Sequence, residues 1–365
     1  IRYIVDPRSN IYIYRENENM PIYIFMSLIV ALFLGLTVSA EEIFRDRKIL
    51  KREEFLNLSW SGYLMSKIIM LFSISAIQAI LFIGIANTIL GIRDMYFSYW
   101  LALFTTACFA NVLGLNISAS FRSAVTIYIV IPLLMIPMMV LSGAMFSFDK
   151  LNRNISSVDR TPWIADIMPT KWSYEALMVR QFKNNRYQRI FYELDKLESI
   201  ADFKNVYYLP ELEKRLENCS NEYNKKQKIE NTLNDLEVVY NEIMYLSNTI
   251  TSIPFHDGHK LTKDSINNEI IGSTHIYLKQ LKNYFTYLFM MATNKKEDTI
   301  ASLSKNLKFL KDNYYNESIE DIVTKVFEKN KILEYEGRLV QNYDPIYKDP
   351  PFPANPLTIR THFMA

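Results

Sequence analysis

Glu41-Glu42-Ile43-Phe44-Arg45-Asp46-Arg47-Lys48-Ile49-Leu50-Lys51-Arg52-Glu53-Glu54-Phe55 is dense in charge and lies between two runs apolar enough to cross a membrane. The run Pro21 to Ala40 ends against it, and the run Ile68 to Leu90 begins shortly after it. Each supplies the ~20 apolar residues that a helix needs to cross the ~30 Å hydrocarbon layer. A charged segment held between two spans lies at the membrane surface. Ile43, Phe44, Ile49, Leu50 and Phe55, set among charges of both signs, give the pattern of a short amphipathic helix over 41–56. A solvated connecting loop carries the same charges, so charge alone leaves both readings open.

Two further spans follow, over 99–119 and 124–146. Tyr99 and Trp100 open the first of them at interfacial depth, and Pro132 and Pro137 are expected to kink the second. Pro21 suits the first turn of its helix, and Lys67 stands where its ammonium can snorkel to the surface. Asn111 and Asn116 fall inside a span, where an amide serves as interhelical glue more often than as a substrate contact. Gly91-Ile92-Arg93-Asp94 and Ser120-Phe121-Arg122-Ser123 read as tight turns. Arg45, Arg47, Lys48, Lys51, Arg52 and Arg122 then face Arg93, Arg2, Arg8 and Arg15 across the bilayer, and the positive-inside rule puts the charged segment in the cytoplasm. On that count residues 147–365 lie on the non-cytoplasmic side of a multi-pass protein of the cell membrane.

The 365 residues carry a formal net charge of +2, so nothing points to nucleic acid as a partner. Residues up to about Phe146 are apolar, and the remainder is rich in Lys, Glu, Asp, Asn and Tyr, which reads as a membrane part followed by a folded polar part. Two cysteines, Cys108 in an apolar run and Cys219 in the polar half, exclude a disulfide framework. Ile1 is not a start methionine and no signal peptide opens the chain, so a fragment of a longer protein is expected. His256-Asp257-Gly258-His259 reads as a polar turn, since no third or fourth metal ligand accompanies it. No G-x-x-x-x-G-K-[ST] loop and no nucleophile constellation is present; no catalytic residue, metal or cofactor is expected in this chain.

The polar half steps in threes and fours. Leu209, Leu212, Leu216, Cys219 and Tyr223 form one seam, and Ile229, Leu233, Leu236, Tyr240 and Ile243 another after a break near Lys226. His275 to Met291 is amphipathic, and further helices are expected over Lys296–Asp312 and Ser318–Tyr335. Ile253-Pro254 and Asp257-Gly258 are breakers, and the tail Asp349 to Pro356 holds too many prolines for helix. The fold expected is mainly α: a polytopic transmembrane bundle over 1–182 followed by a helical extracytoplasmic insert over 183–356.

Two segments flanking the spans carry a resemblance. The first is Asp46-Arg47-Lys48-Ile49-Leu50-Lys51-Arg52-Glu53 with Ser61-Gly62-Tyr63-Leu64-Met65-Ser66-Lys67. The second is Leu141-Ser142-Gly143-Ala144-Met145-Phe146, Thr161-Pro162-Trp163-Ile164 and Pro169-Thr170-Lys171-Trp172-Ser173-Tyr174-Glu175-Ala176-Leu177. In this order they resemble the coupling helix and the return loop of ATP-binding-cassette exporters of the G subfamily, with an ABC-2 type transmembrane domain. The resemblance covers about 1–182. It implies a first span and a cassette binding ATP and magnesium upstream on the same polypeptide, a lead-in over 357–365 to a last span, and a homodimer embedded in membrane lipid. Asp46, Arg47, Arg52, Glu53, Tyr63 and Lys67 would then belong to the coupling helix, and Gly143, Pro162, Trp163, Pro169, Tyr174 and Glu175 to the return loop 147–182. The family has a short external loop where this chain carries 183–356. Two rival readings are a membrane-anchored helical interaction protein, and a multi-span enzyme disfavoured by the lack of clustered acids or histidines in the spans.

Overall fold

A span with apolar side chains on every face can cross a bilayer only if its backbone satisfies itself, which a helix does. In the computed structural model the apolar runs and the charged segment become α1 (Met20–Ala40), α2 (Glu42–Glu53), α3 (Trp60–Ile89), α4 (Tyr96–Ser120) and α5 (Ala124–Val140). The described residues are 12–53, 59–146, 148, 162–224, 233–262, 266–335 and 337–348. Arg2, Arg8, Glu54, Phe55, Lys226, Ile229, most of 147–161 and the tail with its 357–365 lead-in lie outside them, and of Glu53 and Tyr223 only the backbone is described. These residues divide into two compact units. One comprises those up to Gln188 together with Lys308–Glu320, the other Arg189–Leu307 and those from Asp321 onward.

In the first unit, α1, α3 and α4 are each long and apolar enough to cross a membrane. Helix α3 starts well before Ile68, because the Ser59 hydroxyl accepts from Gly62 N (3.4 Å) and caps it at Trp60. Helix α5 stops at Val140, short of the expected Phe146, after 17 residues or roughly 26 Å. There the Ser142 hydroxyl donates to the Met139 carbonyl (2.6 Å), and Gly143 turns the chain with φ of 78°.

Helices α1 and α4 meet closest. A Cβ on Gly35 would stand 2.7 Å from Ala110 Cβ, and one on Gly114 would stand 1.9 Å from Ser39 Oγ. Leu28, Leu32, Leu36, Leu103 and Ala110 are buried around this seam. Asn111 of α4 donates to Ser75 Oγ of α3 (2.8 Å), an interhelical bond. Asn116 does not bridge helices. It is exposed and returns to the carbonyl of Val112 on its own helix (2.9 Å).

Beyond α5 the chain returns. The short helix α6 (Trp163–Ile167) leads to α7 (Pro169–Lys183), and α7 climbs along its neighbours in rungs. Thr170 donates to the Met138 carbonyl (2.7 Å), Ser173 meets Thr106 (2.8 Å), and Tyr174 sets its ring edge-on to Phe25. At the far end Gln181 donates to Tyr14 OH (2.8 Å), just before α1. Lys308–Glu320 joins this end of the first unit. Asn316 donates to the carbonyls of Tyr14 and Asn17 (2.9 Å each), Arg15 pairs with Asp312 (2.9 Å), and Tyr314 lies between the guanidinium groups of Arg93 and Arg186.

The second unit contains α8 (Gln188–Phe203), α9 (Leu209–Asn224), α10 (Leu233–Thr249), most of α11 (Asn268–Tyr314), the end of α12 (Glu317–Val323) and a hairpin, β1 (Ile332–Tyr335) with β2 (Arg338–Gln341). The seam residues Leu209, Leu212, Leu216, Cys219, Leu236 and Ile243 are buried in one core with Leu278, Leu281 and Phe285. The expected breakers fall between α10 and α11. His256 and His259 sit at a turn where Lys260 pairs with Asp257 (2.7 Å).

Two expectations fail here. The separate helices over His275–Met291 and Lys296–Asp312 are one 47-residue helix, since no Gly or Pro interrupts Met291 to Lys296. Ser318–Tyr335 is not a helix: α12 ends at Val323, Lys325 adopts a left-handed φ of 50°, and Ile332–Tyr335 pairs with β2 across Gly337, whose φ is 70°.

Glu242, 1% exposed, ties the hairpin to the helices. Its carboxylate accepts from Tyr208 OH, from Leu339 N (2.8 Å) and from Arg338 (3.4 Å). Beside it, burial pushes the Lys204 ammonium down from 10.5 to about 8, against the pull of Glu242 and with help from Arg338.

Two predictions come from this packing. Gly114→Val should destabilise the first unit by about 2 kcal/mol or more through overpacking, read as an earlier thermal transition of the detergent-solubilised protein. In the second unit the neutral form of Lys204 is favoured by the fold, so stability rises as pH passes from about 8 towards 10.5. Hydrogen exchange of α10 amides should therefore slow by the equivalent of ~2 kcal/mol between pH 7.5 and 9.5, after correction for intrinsic rates, and Lys204→Met should remove that gain.

Candidate functional site

The charged segment folds as α2, and its position is fixed by contacts to α3 and α4. Glu42 and Asp46 stand four residues apart, so both carboxylates share one face of α2. Lys67, one turn past Tyr63 on α3, reaches both. Its Nζ lies 2.6 Å from Glu42 Oε2 and 2.8 Å from Asp46 Oδ2, and Tyr63 OH donates to Asp46 Oδ2 (3.0 Å). These side chains are largely withdrawn from solvent, with Lys67 16% and Glu42 12% exposed. One cation between two carboxylates, shielded from water, gives charge-assisted bonds stronger than those of exposed pairs.

The other anchor is the C-terminus of α4. Phe44 N donates to Ser118 Oγ (2.8 Å), and the Arg47 guanidinium donates to the Ala119 carbonyl (2.7 Å) and to that of Ser118 (3.3 Å). A cation there meets unsatisfied carbonyls at the negative end of the helix dipole. The opposite face of α2 is open: Arg45, Lys48, Ile49, Lys51 and Arg52 are exposed, while Leu50 is buried. Arg45 also pairs with Glu42 (2.9 Å). The helix therefore presents a basic face and holds Glu42 and Asp46 inward.

Of the coupling residues read from the sequence, the structure brings Asp46, Tyr63 and Lys67 together and sends Arg47 to α4. Arg52 stays outside this cluster, on the exposed face. Glu53 ends α2. Glu42 and Ser118 were not singled out in the sequence. The i, i+4 spacing of Glu42 and Asp46 ahead of Lys67 was the available signal for the first; for Ser118, one polar residue near a helix end, there was none.

The return segment holds a second ion pair. Lys171, fully buried, donates to Asp166 Oδ1 (2.6 Å), with its Nζ 4.4 Å from the centre of the Trp172 ring. Trp172 Nε1 donates to the Asp166 carbonyl (2.8 Å), which ties α6 to α7. Pro162 precedes α6, Trp163 is 71% exposed at its start, and Pro169 opens α7. Tyr174 and Glu175 are buried on α7, and Gly143 makes the turn that begins the return.

Among the described residues no group of three or more His, Cys, Asp or Glu side chains could hold a metal ion. Helix α2 is held to α3 and α4 on one face and carries positive charge on the other.

The sequence profile of the ABC-2 type transporter family matches residues 8–182. Two curated proteins called ABC transporter G family member STR are similar: that of Petunia hybrida is 28% identical over 176 residues, 47% of this chain and 20% of that protein. The protein of that name from Medicago truncatula is 26% identical over 175 residues, again 47% of this chain and 20% of its own length. The chain thus spans about a fifth of the length of these relatives. No solved structure matches.

If Lys67 closes the pair of carboxylates, Lys67→Met should leave Glu42 and Asp46 as shielded like charges and cost about 2 kcal/mol or more. Lys67→Arg should recover most of this, and Lys67→Met combined with Glu42→Gln should cost less than Lys67→Met alone. Thermal unfolding of the solubilised protein reads all three.

Proposed function

Residues 8–182 belong to the ABC-2 type transporter family, and from that premise we propose that the chain is the membrane-spanning part of an ATP-driven exporter. In this reading α2 receives the motion of a cytoplasmic ATP-binding cassette on the same polypeptide, and two copies of the protein assemble. ATP and magnesium bind in the cassette, which performs the hydrolysis. The observation that carries the reading is the two-faced geometry of α2. Its inward acids are locked to α3 by Lys67 and its start to α4 by Ser118 and Arg47. Its outward face offers Arg45, Lys48, Lys51 and Arg52 to a partner.

A helix held this way cannot move without moving the starts and ends of two spans. Transport then follows if cassette closure favours one packing of the spans over another, with ATP binding biasing the equilibrium. In this reading the second unit lies on the side away from the cytoplasm, a placement the charge count across the spans supports.

Charge removal on the outward face tests coupling without touching any catalytic group. Lys48→Gln combined with Lys51→Gln and Arg52→Gln in the full-length protein should leave basal ATP hydrolysis intact. It should cut transport and substrate-stimulated hydrolysis about tenfold, the loss expected for a few interfacial charge contacts. Unchanged stimulation at normal expression would remove the coupling role. For sidedness, single cysteines at Lys48 and Lys260 should differ in intact cells: a membrane-impermeant thiol reagent should label only the second.

A further inference from the structure

At the ends of the spans opposite α2, one side-chain amide within the first unit holds the chain that leads into α1. Asn316, 4% exposed, donates to the carbonyls of Tyr14 and Asn17 (2.9 Å each). Its Oδ1 accepts from Ile319 N (3.0 Å), so every polar atom of the side chain is bonded. The gripped residues pass the contact on. Asn17 Nδ2 donates to Tyr12 OH (2.9 Å), and Tyr12 OH donates to the Leu90 carbonyl at the end of α3 (2.7 Å). Tyr14 OH accepts from Gln181 of α7 (2.8 Å). Arg93, in the turn from α3 to α4, lies over the Tyr314 ring at 5.9 Å.

Helices α1, α3 and α4 are thus fastened twice, by α2 at one end and through Lys308–Glu320 at the other. Helices fastened at both ends cannot tilt against one another unless one fastening yields. The α2 end is joined covalently to α1 and held by shielded, charge-assisted bonds from Lys67. The Asn316 end is non-covalent, and its buried bonds are neutral, each roughly half as strong as a charge-assisted one. Arg15 adds pairs to Asp312 (2.9 Å) and Glu317 (3.4 Å), but these are partly exposed and add little. The Asn316 end is the one that yields.

We propose that Lys308–Glu320 is a releasable strap: through Asn316 it holds the ends of α1, α3, α4 and α7 opposite α2 together, and its release lets them part. The use of that release rests on the exporter reading, in which the ends part during the ATP cycle. The closure itself needs neither nucleotide nor cassette.

The test places one reporter, Ile92→Cys, in the full-length protein freed of other cysteines and held in phosphatidylcholine nanodiscs. Ile92 is 1% exposed and adjoins Arg93, so maleimide labels it at a rate proportional to the fraction of molecules in which the turn is open. Asn316→Asp keeps the acceptor for Ile319 N and loses both donated bonds. Without nucleotide it should speed labelling about tenfold, and Asn316→Leu at least as much. A reporter at the other end, Leu50→Cys on α2, should label at one rate in all three backgrounds. An unchanged rate at Ile92→Cys overturns the strap. So does equal acceleration at Leu50→Cys, which marks general loosening. With Asn316 intact, ATP, magnesium and vanadate should also speed labelling of Ile92→Cys. No change in a protein that hydrolyses ATP shows a strap shut throughout the cycle and overturns its release. A protein that hydrolyses no ATP removes the exporter reading instead, and the nucleotide-free rates still decide the strap.

Discussion

The first unit depends on how closely α1 and α4 approach. At Gly35 and Gly114 the facing helix occupies the space where a side chain would begin. In a bilayer, where lipid is as apolar as leucine, helices gain little from burying apolar surface against each other, and close backbone approach with dispersion contacts takes its place. That contact sets the height of the end of α4 relative to the end of α1. The chain leaves α1 directly into α2, so Phe44 N can find Ser118 and Arg47 can find the last carbonyls of α4 only if that height is right. A packing constraint inside the membrane thus fixes the register of a surface helix.

Electrostatics then finishes what packing begins. Lys67 emerges at the start of α3 and takes both carboxylates of α2, and Tyr63 adds a hydroxyl to Asp46. Glu42 and Asp46 turn inward, and Arg45, Lys48, Lys51 and Arg52 face out as a basic surface. Lys171 and Asp166 repeat the logic at the return. Each ammonium is short of water, and each has a carboxylate within hydrogen-bond range and an aromatic ring nearby.

The second unit is built on other principles. Its helices bury one face each, so the ordinary hydrophobic effect holds Leu209, Leu212, Leu216, Ile243, Leu278 and Phe285 together. A polar hub supplements this core. Glu242 gathers donors from Tyr208, Arg338 and the backbone of Leu339, which joins the hairpin to α10. Such a group holds its place only because its acceptor sites are filled.

The sequence by itself determined the three long apolar helices, the amphipathic pattern after the first of them, and the seams of the polar half. Each is a matter of local composition or of spacing along one helix, and those periods can be counted. Lys67 was legible because the start of a span limits where a lysine can go, while Asp46 and Tyr63 came from the resemblance of the segments that hold them. The tertiary structure alone decided that Glu42 shares Lys67, that Ser118 receives the backbone of α2, and that Lys308–Glu320 packs against the residues around α1 instead of with the rest of the polar half. It also decided that α5 ends at Val140 and that Ile332–Tyr335 pairs as a strand. The reason is the same in each case. Partners far apart in the chain leave no trace in its periodicity, and a short apolar run folds as helix or strand according to what it meets.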